Sequence, residues 1–215
     1  MSRQDEIVAI LLERHGNRFA DEAGIRLADK PGPLYQLLVL ATLLSARISA
    51  DIAVAAAREL FAAGYRSPKA MVDASWQDRV DALGRGHYKR YDERTATMLG
   101  DGAALLIERW HGDLRRLREE ADDASVASLL TEFPGIGPTG ADIFLREVQD
   151  VWPSVMPYVD AVMIKGARKV GLEGNRDSLA KLLADCGDPG RLAAALVRVA
   201  RSDRAAGEVN AAAGR

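Results

Sequence analysis

One stretch constrains the fold more than any other: LLTEFPGIGPTGADIFLREV, Leu129 to Val148. Leu129, Leu130 and Phe133 are the apolar end of one helix, and Ile143, Phe144 and Val148 are the apolar face of the next. Between them PGIG, Pro134 to Gly137, breaks the helix and lets it resume at once. Two glycines one residue apart admit positive φ and close approach by another backbone. The second helix starts around Pro138, so its unpaired N–H groups point out of the turn, a ready site for a phosphate oxygen. Ile136 is placed to tuck inward and lock the two helices together. Taken alone, the stretch fits both a plain tight turn and a clasp for a DNA backbone that reads no sequence.

The surrounding chain is written in helix grammar. A first helix carries Ile7, Ile10 and Leu11 and stops at Gly16; Asp21–Pro33 is a connector rich in Gly and Pro. LYQLLVLATLLSA, Leu34 to Ala46, is apolar nearly all round and predicts a central buried helix. Ser49, Ser67 (followed by Pro68) and Ser75 predict helix starts, with stops at Gly64 and Gly84. Tyr88–Gly112 reads as one long helix weakened near Gly100 and Gly102. After the hairpin come a loop with two prolines, VWPSVMPYVD, and then AVMIKGARKVG, DSLAKLLADCG and PGRLAAALVRVARSDRAAG as helices, with a frayed tail EVNAAAGR. No run of β alternation interrupts this, so the chain is expected to be all-α, with about a dozen helices.

Composition narrows the chemistry. The 215 residues are 48% hydrophobic and carry 29 basic and 31 acidic side chains, so no overall positive field advertises nucleic acid, although HYKRYDER (His87–Arg94), RRLR (Arg115–Arg118) and KGARK (Lys165–Lys169) concentrate it locally. One cysteine, Cys186, cannot build a disulfide framework or an iron–sulfur cluster, and His15, His87 and His111 lack metal-ligand spacing. The opening residues lack the pattern of a signal peptide and no apolar run reaches membrane-spanning length, so a cytoplasmic, nucleoid-associated monomer with no membrane contact is expected.

Four segments in order carry a resemblance to a known family. LLVLATLLSARIS resembles a buried helix ending in LLSAQ. LGRGHYKRYDERTATML is similar to a segment with a Gly-containing turn, a Tyr and a basic helix start. FPGIGPTGAD resembles LPGVGRKTA, and VWPSVMPYVDAVM resembles GWPTIAVDTHI. The four compared segments are those of the helix-hairpin-helix DNA glycosylases of the endonuclease III type, a family that the chain resembles from about Leu34 to Leu172.

The resemblance implies two helical lobes with a cleft between them: a bundle over 34–133, a second lobe of 1–33 plus 150–215, and the helix-hairpin-helix over 123–149 joining them. It implies a base-excision repair enzyme acting on double-stranded DNA that carries a damaged, mismatched or abasic nucleotide, flipped out of the stack to expose its glycosidic bond. The catalytic carboxylate falls on Asp160, which would stabilise positive charge on the sugar or act as general base on water. From the residues alone Asp160 is a helix N-cap, and the two roles are compatible. DNA contacts fall on Arg47, Gly135, Ile136, Gly137, Thr139, Gly140 and Lys165. The carbonyls of Thr131, Phe133 and Ile136 fall where some members hold Na+ or K+. Thr139 replaces the hairpin lysine that forms a Schiff base in bifunctional members, which implies a monofunctional, hydrolytic glycosylase without the iron–sulfur cluster. Two alternatives stay open: a non-catalytic DNA-binding protein of the same fold, and an abasic-site lyase using another amine, of which Lys165 is the nearest in sequence. The sequence does not assign which of Tyr35, Trp76, Tyr88, Tyr91, Trp152 and Tyr158 line a pocket.

Overall fold

In the computed structural model, which describes residues 2–121 and 126–214, every regular element among the described residues is a helix. The chain is all-α. It divides into two compact units, Ala20–Leu145 and Met1–Phe19 with Arg146–Arg215. The division expected at residues 34 and 150 therefore falls at 20 and 146. The connector belongs with the bundle because Ala20, Ala23 and Ile25 are buried and Arg118 pairs with Asp29 at 3.0 Å.

In order the helices are α1 Arg3–His15, α2 Phe19–Glu22, α3 Pro31–Leu44, α4 Ala50–Ala62, α5 Pro68–Asp73, α6 Trp76–Arg85, α7 Asp92–Trp110, α8 Leu114–Glu120, α9 Val126–Leu130, α10 Pro138–Val148, α11 Ala161–Val170, α12 Arg176–Asp185, α13 Pro189–Arg201 and α14 Asp203–Ala212. The expected start of the first hairpin helix, residues 123–125, lies outside the described residues.

In the Ala20–Leu145 unit, α3 is the central element, buried at every position from Leu37 to Leu43. It starts three residues earlier than its apolar pattern, because Pro31 sits at the first helical turn, where its missing N–H costs nothing. Ser49, Ser67 and Ser75 each cap their helices, accepting from Ile52, Ala70 and Asp78 N–H groups. The stop expected at Gly84 falls at Gly86, which meets α4 so closely that a Cβ there would lie 2.4 Å from Ala56 Cα. α7 begins at Asp92 rather than Tyr88 and runs unbroken through Gly100 and Gly102. Gly100 leaves room for Arg79, whose guanidinium crosses to the Met71 and Ala74 carbonyls, each at 2.9 Å.

The other unit packs α1 and α11–α14 around Ile7, Leu11, Met163, Val170, Leu196 and Val209. Where α11 meets α13, a Cβ on Gly166 would lie 2.0 Å from the Leu196 carbonyl oxygen. Arg191 closes α1 by donating to the Leu12 and Gly16 carbonyls. The single helix expected after Pro189 is two: Ser202 ends α13 and caps α14, accepting from Ala205 N–H. The expected frayed tail is helical through Ala212 because Val209 is fully buried.

Candidate functional site

The hairpin between α9 and α10 is pinned from both sides. The Phe133 ring stacks on Trp110 with centroids 5.5 Å apart, and Ile136 is buried. Ile136 N–H closes the turn onto the Phe133 carbonyl at 3.0 Å. Gly135 has φ +86°, a conformation that costs an L side chain, and a Cβ there would press on Met98 and Thr42. Gly140 is equally constrained, since a Cβ would lie 2.5 Å from Ser45 Oγ and 3.2 Å from Ile136 Cδ1. Gly137 has open space around it.

This arrangement leaves main-chain donors at the start of α10 without helical partners. The first N–H that bonds back within α10 is that of Ala141, to the Gly137 carbonyl at 3.0 Å. Pro138 has no N–H, and the Gly137, Thr139 and Gly140 amides have no hydrogen-bond partner among the described residues, at a helix start where the dipole favours an anion. Thr139 is exposed. These amides belong to the same unit as Arg47, which is exposed just past the end of α3 and has no hydrogen-bond or ion-pair partner among the described residues. A cavity of about 300 Å³ lies between the end of α3, the start of α7 and the turn itself, lined by Arg47, Arg94, Tyr91 and Gly135 among others.

Of the carbonyls at which a monovalent cation is expected, that of Phe133 accepts from Ile136 N–H and keeps its second lone pair.

Asp160 lies in the other unit, at the N-terminus of α11. Its Oδ1 accepts from Val162 N–H at 2.8 Å and from Met163 N–H at 2.9 Å. Its Oδ2 pairs with the Arg146 guanidinium, and the residue is only 5% exposed. The carboxylate is thus an N-cap and half of a buried ion pair, with both oxygens engaged. Arg146 went unrecognised in the sequence. Its signal is position: a cation on a helix whose neighbours Phe144, Leu145 and Val148 are all buried must have a partner. Gln149 fixes the loop leading to Asp160, donating to the Arg146 carbonyl and accepting from Tyr158 N–H. Lys165 is exposed on α11, beside Arg168 and Lys169 in a shallow groove.

The aromatics sort by burial. Tyr35, Tyr88 and Trp152 are core residues, Trp76 is exposed and donates to Thr97, and Tyr91 is half-buried at the cavity.

No protein-family model matches the chain, and no curated protein does. Among solved structures, the chain is similar to a trapped endonuclease III–DNA covalent intermediate in an estranged-adenine complex. The two are 15% identical, with a TM-score of 0.49 over 92% of this chain and 85% of the other. No described helix is long and apolar enough to cross a membrane.

Proposed function

We propose that this protein binds the phosphate backbone of duplex DNA at the hairpin and acts as a monofunctional DNA glycosylase of base-excision repair. The observation that carries the reading is the hairpin: a glycine-built turn, held rigid by Ile136 and Phe133, that presents the amides of Gly137, Thr139 and Gly140 with unpaired Arg47 in the same unit. Such a clasp holds DNA without reading its sequence. The resemblance of YVDAVM to the family's catalytic segment assigns the chemistry to Asp160. There a carboxylate would stabilise oxocarbenium character on the sugar of an extruded nucleotide and prepare water for attack. Thr139 offers a hydroxyl where an imine-forming amine would be needed, so strand cleavage is not part of the reaction.

A second reading, a DNA-binding protein without catalysis, is favoured by one observation: both Asp160 oxygens are already engaged, one by the α11 amides and one by Arg146. Catalysis requires Oδ2 to exchange Arg146 for the sugar.

The test is release of free base from duplexes containing uracil, mismatched, alkylated or oxidised bases, with strand breaks appearing only after alkali. Duplex binding without release from any of them would select the second reading. Borohydride trapping of a covalent complex with abasic DNA, abolished by Lys165→Ala, would instead establish a lyase.

A further inference from the structure

Among the described residues Arg146 is the one buried cation, and its partner Asp160 is the carboxylate that the proposed chemistry needs. Stability alone does not account for the pair. A buried ion pair adds little over an apolar pair of the same size, because the desolvation of two charges offsets their attraction. What distinguishes this pair is how unequally its atoms are engaged.

Oδ1 of Asp160 by itself accepts from both the Val162 and the Met163 amides. The cap of α11 is therefore complete without Oδ2, which can change partner while the helix start stays intact. On the other side of the pair, the guanidinium donates to Oδ2 through Nη1 alone, and Nε and Nη2 have no hydrogen-bond partner among the described residues. The fully enclosed side-chain atoms without partners are on His15, Tyr35, Arg79 and Asn210, so Nε and Nη2 both reach the surface. A guanidinium with unused donors at the surface, in a planar fork that suits phosphate, is thus held by a carboxylate oxygen that the fold can release.

A sugar that displaced Nη1 from Oδ2 and offered nothing in return would leave a buried cation uncompensated, which is strongly unfavourable. Every internal nucleotide of a strand carries a phosphate on each side of its sugar. The group that takes Oδ2 therefore brings a replacement anion with it. We infer that Arg146 is a latch on Asp160, opened when its guanidinium passes from Oδ2 to a phosphate flanking the nucleotide at the site. The cation is paired before and after the exchange, and the carboxylate is uncovered only where a strand is in place. This rests on the glycosylase reading of Asp160 and adds a control to it.

The experiment measures affinity by fluorescence anisotropy for duplexes that carry one tetrahydrofuran abasic analogue, at fixed salt and at a temperature where every variant is folded. The phosphates beside the analogue are either natural or replaced, on the 5′ or the 3′ side, by one neutral methylphosphonate linkage. The ratio of natural to neutral affinity reports what the flanking charge contributes. For wild-type protein that ratio is expected to be about tenfold at one of the two linkages. Arg146→Met should bring it close to one, and Arg146→Lys, which keeps the charge, should retain most of it. Asp160→Asn should raise it above wild type, because the guanidinium then has no carboxylate to leave. A role confined to folding would lower Tm and leave the ratio the same in every variant. A wild-type ratio near one at both linkages, a ratio that survives in Arg146→Met, or one no higher in Asp160→Asn than in wild type overturns the latch and leaves the glycosylase reading standing. Failure of the wild-type protein to bind the abasic-analogue duplex overturns both.

Discussion

Asp160→Asn is the obvious variant for a glycosylase carboxylate, and here its largest effect is expected on the fold. Asn keeps the cap, since its side-chain oxygen can still accept from Val162 and Met163. It removes the charge opposite Arg146, whose side chain is only 7% exposed. An uncompensated buried cation costs about 3–5 kcal/mol. At about 2–4 °C per kcal/mol for a chain of this size, Tm should fall by about 6–20 °C. Arg146→Met should cost less, because Asp160 keeps its two amide donors. The Asp160→Asn, Arg146→Met double variant should be more stable than Asp160→Asn alone, because no buried charge remains unpaired. Differential scanning calorimetry of the four proteins closes the cycle. A Tm for Asp160→Asn within 1 °C of wild type would refute this reasoning, since it would mean the pair carries no structural weight. Base release by Asp160→Asn is interpretable only at temperatures where that variant is folded, and the double variant supplies the control.

Other consequences follow from single positions. Gly135→Ala places a side chain at φ +86° against Met98 and should cost about 1–2 kcal/mol in denaturant unfolding, with DNA affinity reduced about tenfold. Gly166→Ala would stabilise an exposed helix by about 1 kcal/mol, but the Leu196 carbonyl reverses the sign, and a net loss of about 3 kcal/mol is expected by the same assay. Burial holds the His15 imidazole below its ordinary value, with Arg198 and Arg14 acting in the same sense and Glu208 opposing them. The unfolded chain therefore binds the proton more readily: the contribution of His15 is intact above about pH 6.5 and is lost as pH falls from there toward its lower folded value. Denaturant midpoints across pH 5–7.5 should show that decline, and His15→Gln should flatten it.

Much of the fold was legible because short-range rules and tertiary packing agree. Ser49, Ser67 and Ser75 cap where their spacing says they should, and Pro134–Gly137 turns where its glycines permit it. Boundaries moved where local signals compete. Gly84 looks like a stop, but the close approach to Ala56 selects Gly86, and Gly100 is tolerated within α7 because Arg79 packs across it. Ser202 hid inside a continuous helical pattern because one Ser that ends a helix and begins another looks like a helical Ser. At the candidate site, the hairpin amides followed from local sequence alone. The Arg146–Asp160 pair did not, because its partners are fourteen residues apart and no periodicity links them. The cavity joins residues from three separate segments, which a linear reading has no means to assemble.

The central claim is that the amides at the start of α10 hold a DNA phosphate. The most direct measurement is a 15N–1H spectrum of the labelled protein titrated with a short duplex. The account predicts that the Gly137, Thr139 and Gly140 amide resonances move first and furthest, saturating with the binding curve. Saturable DNA binding that leaves those three resonances in place would contradict it.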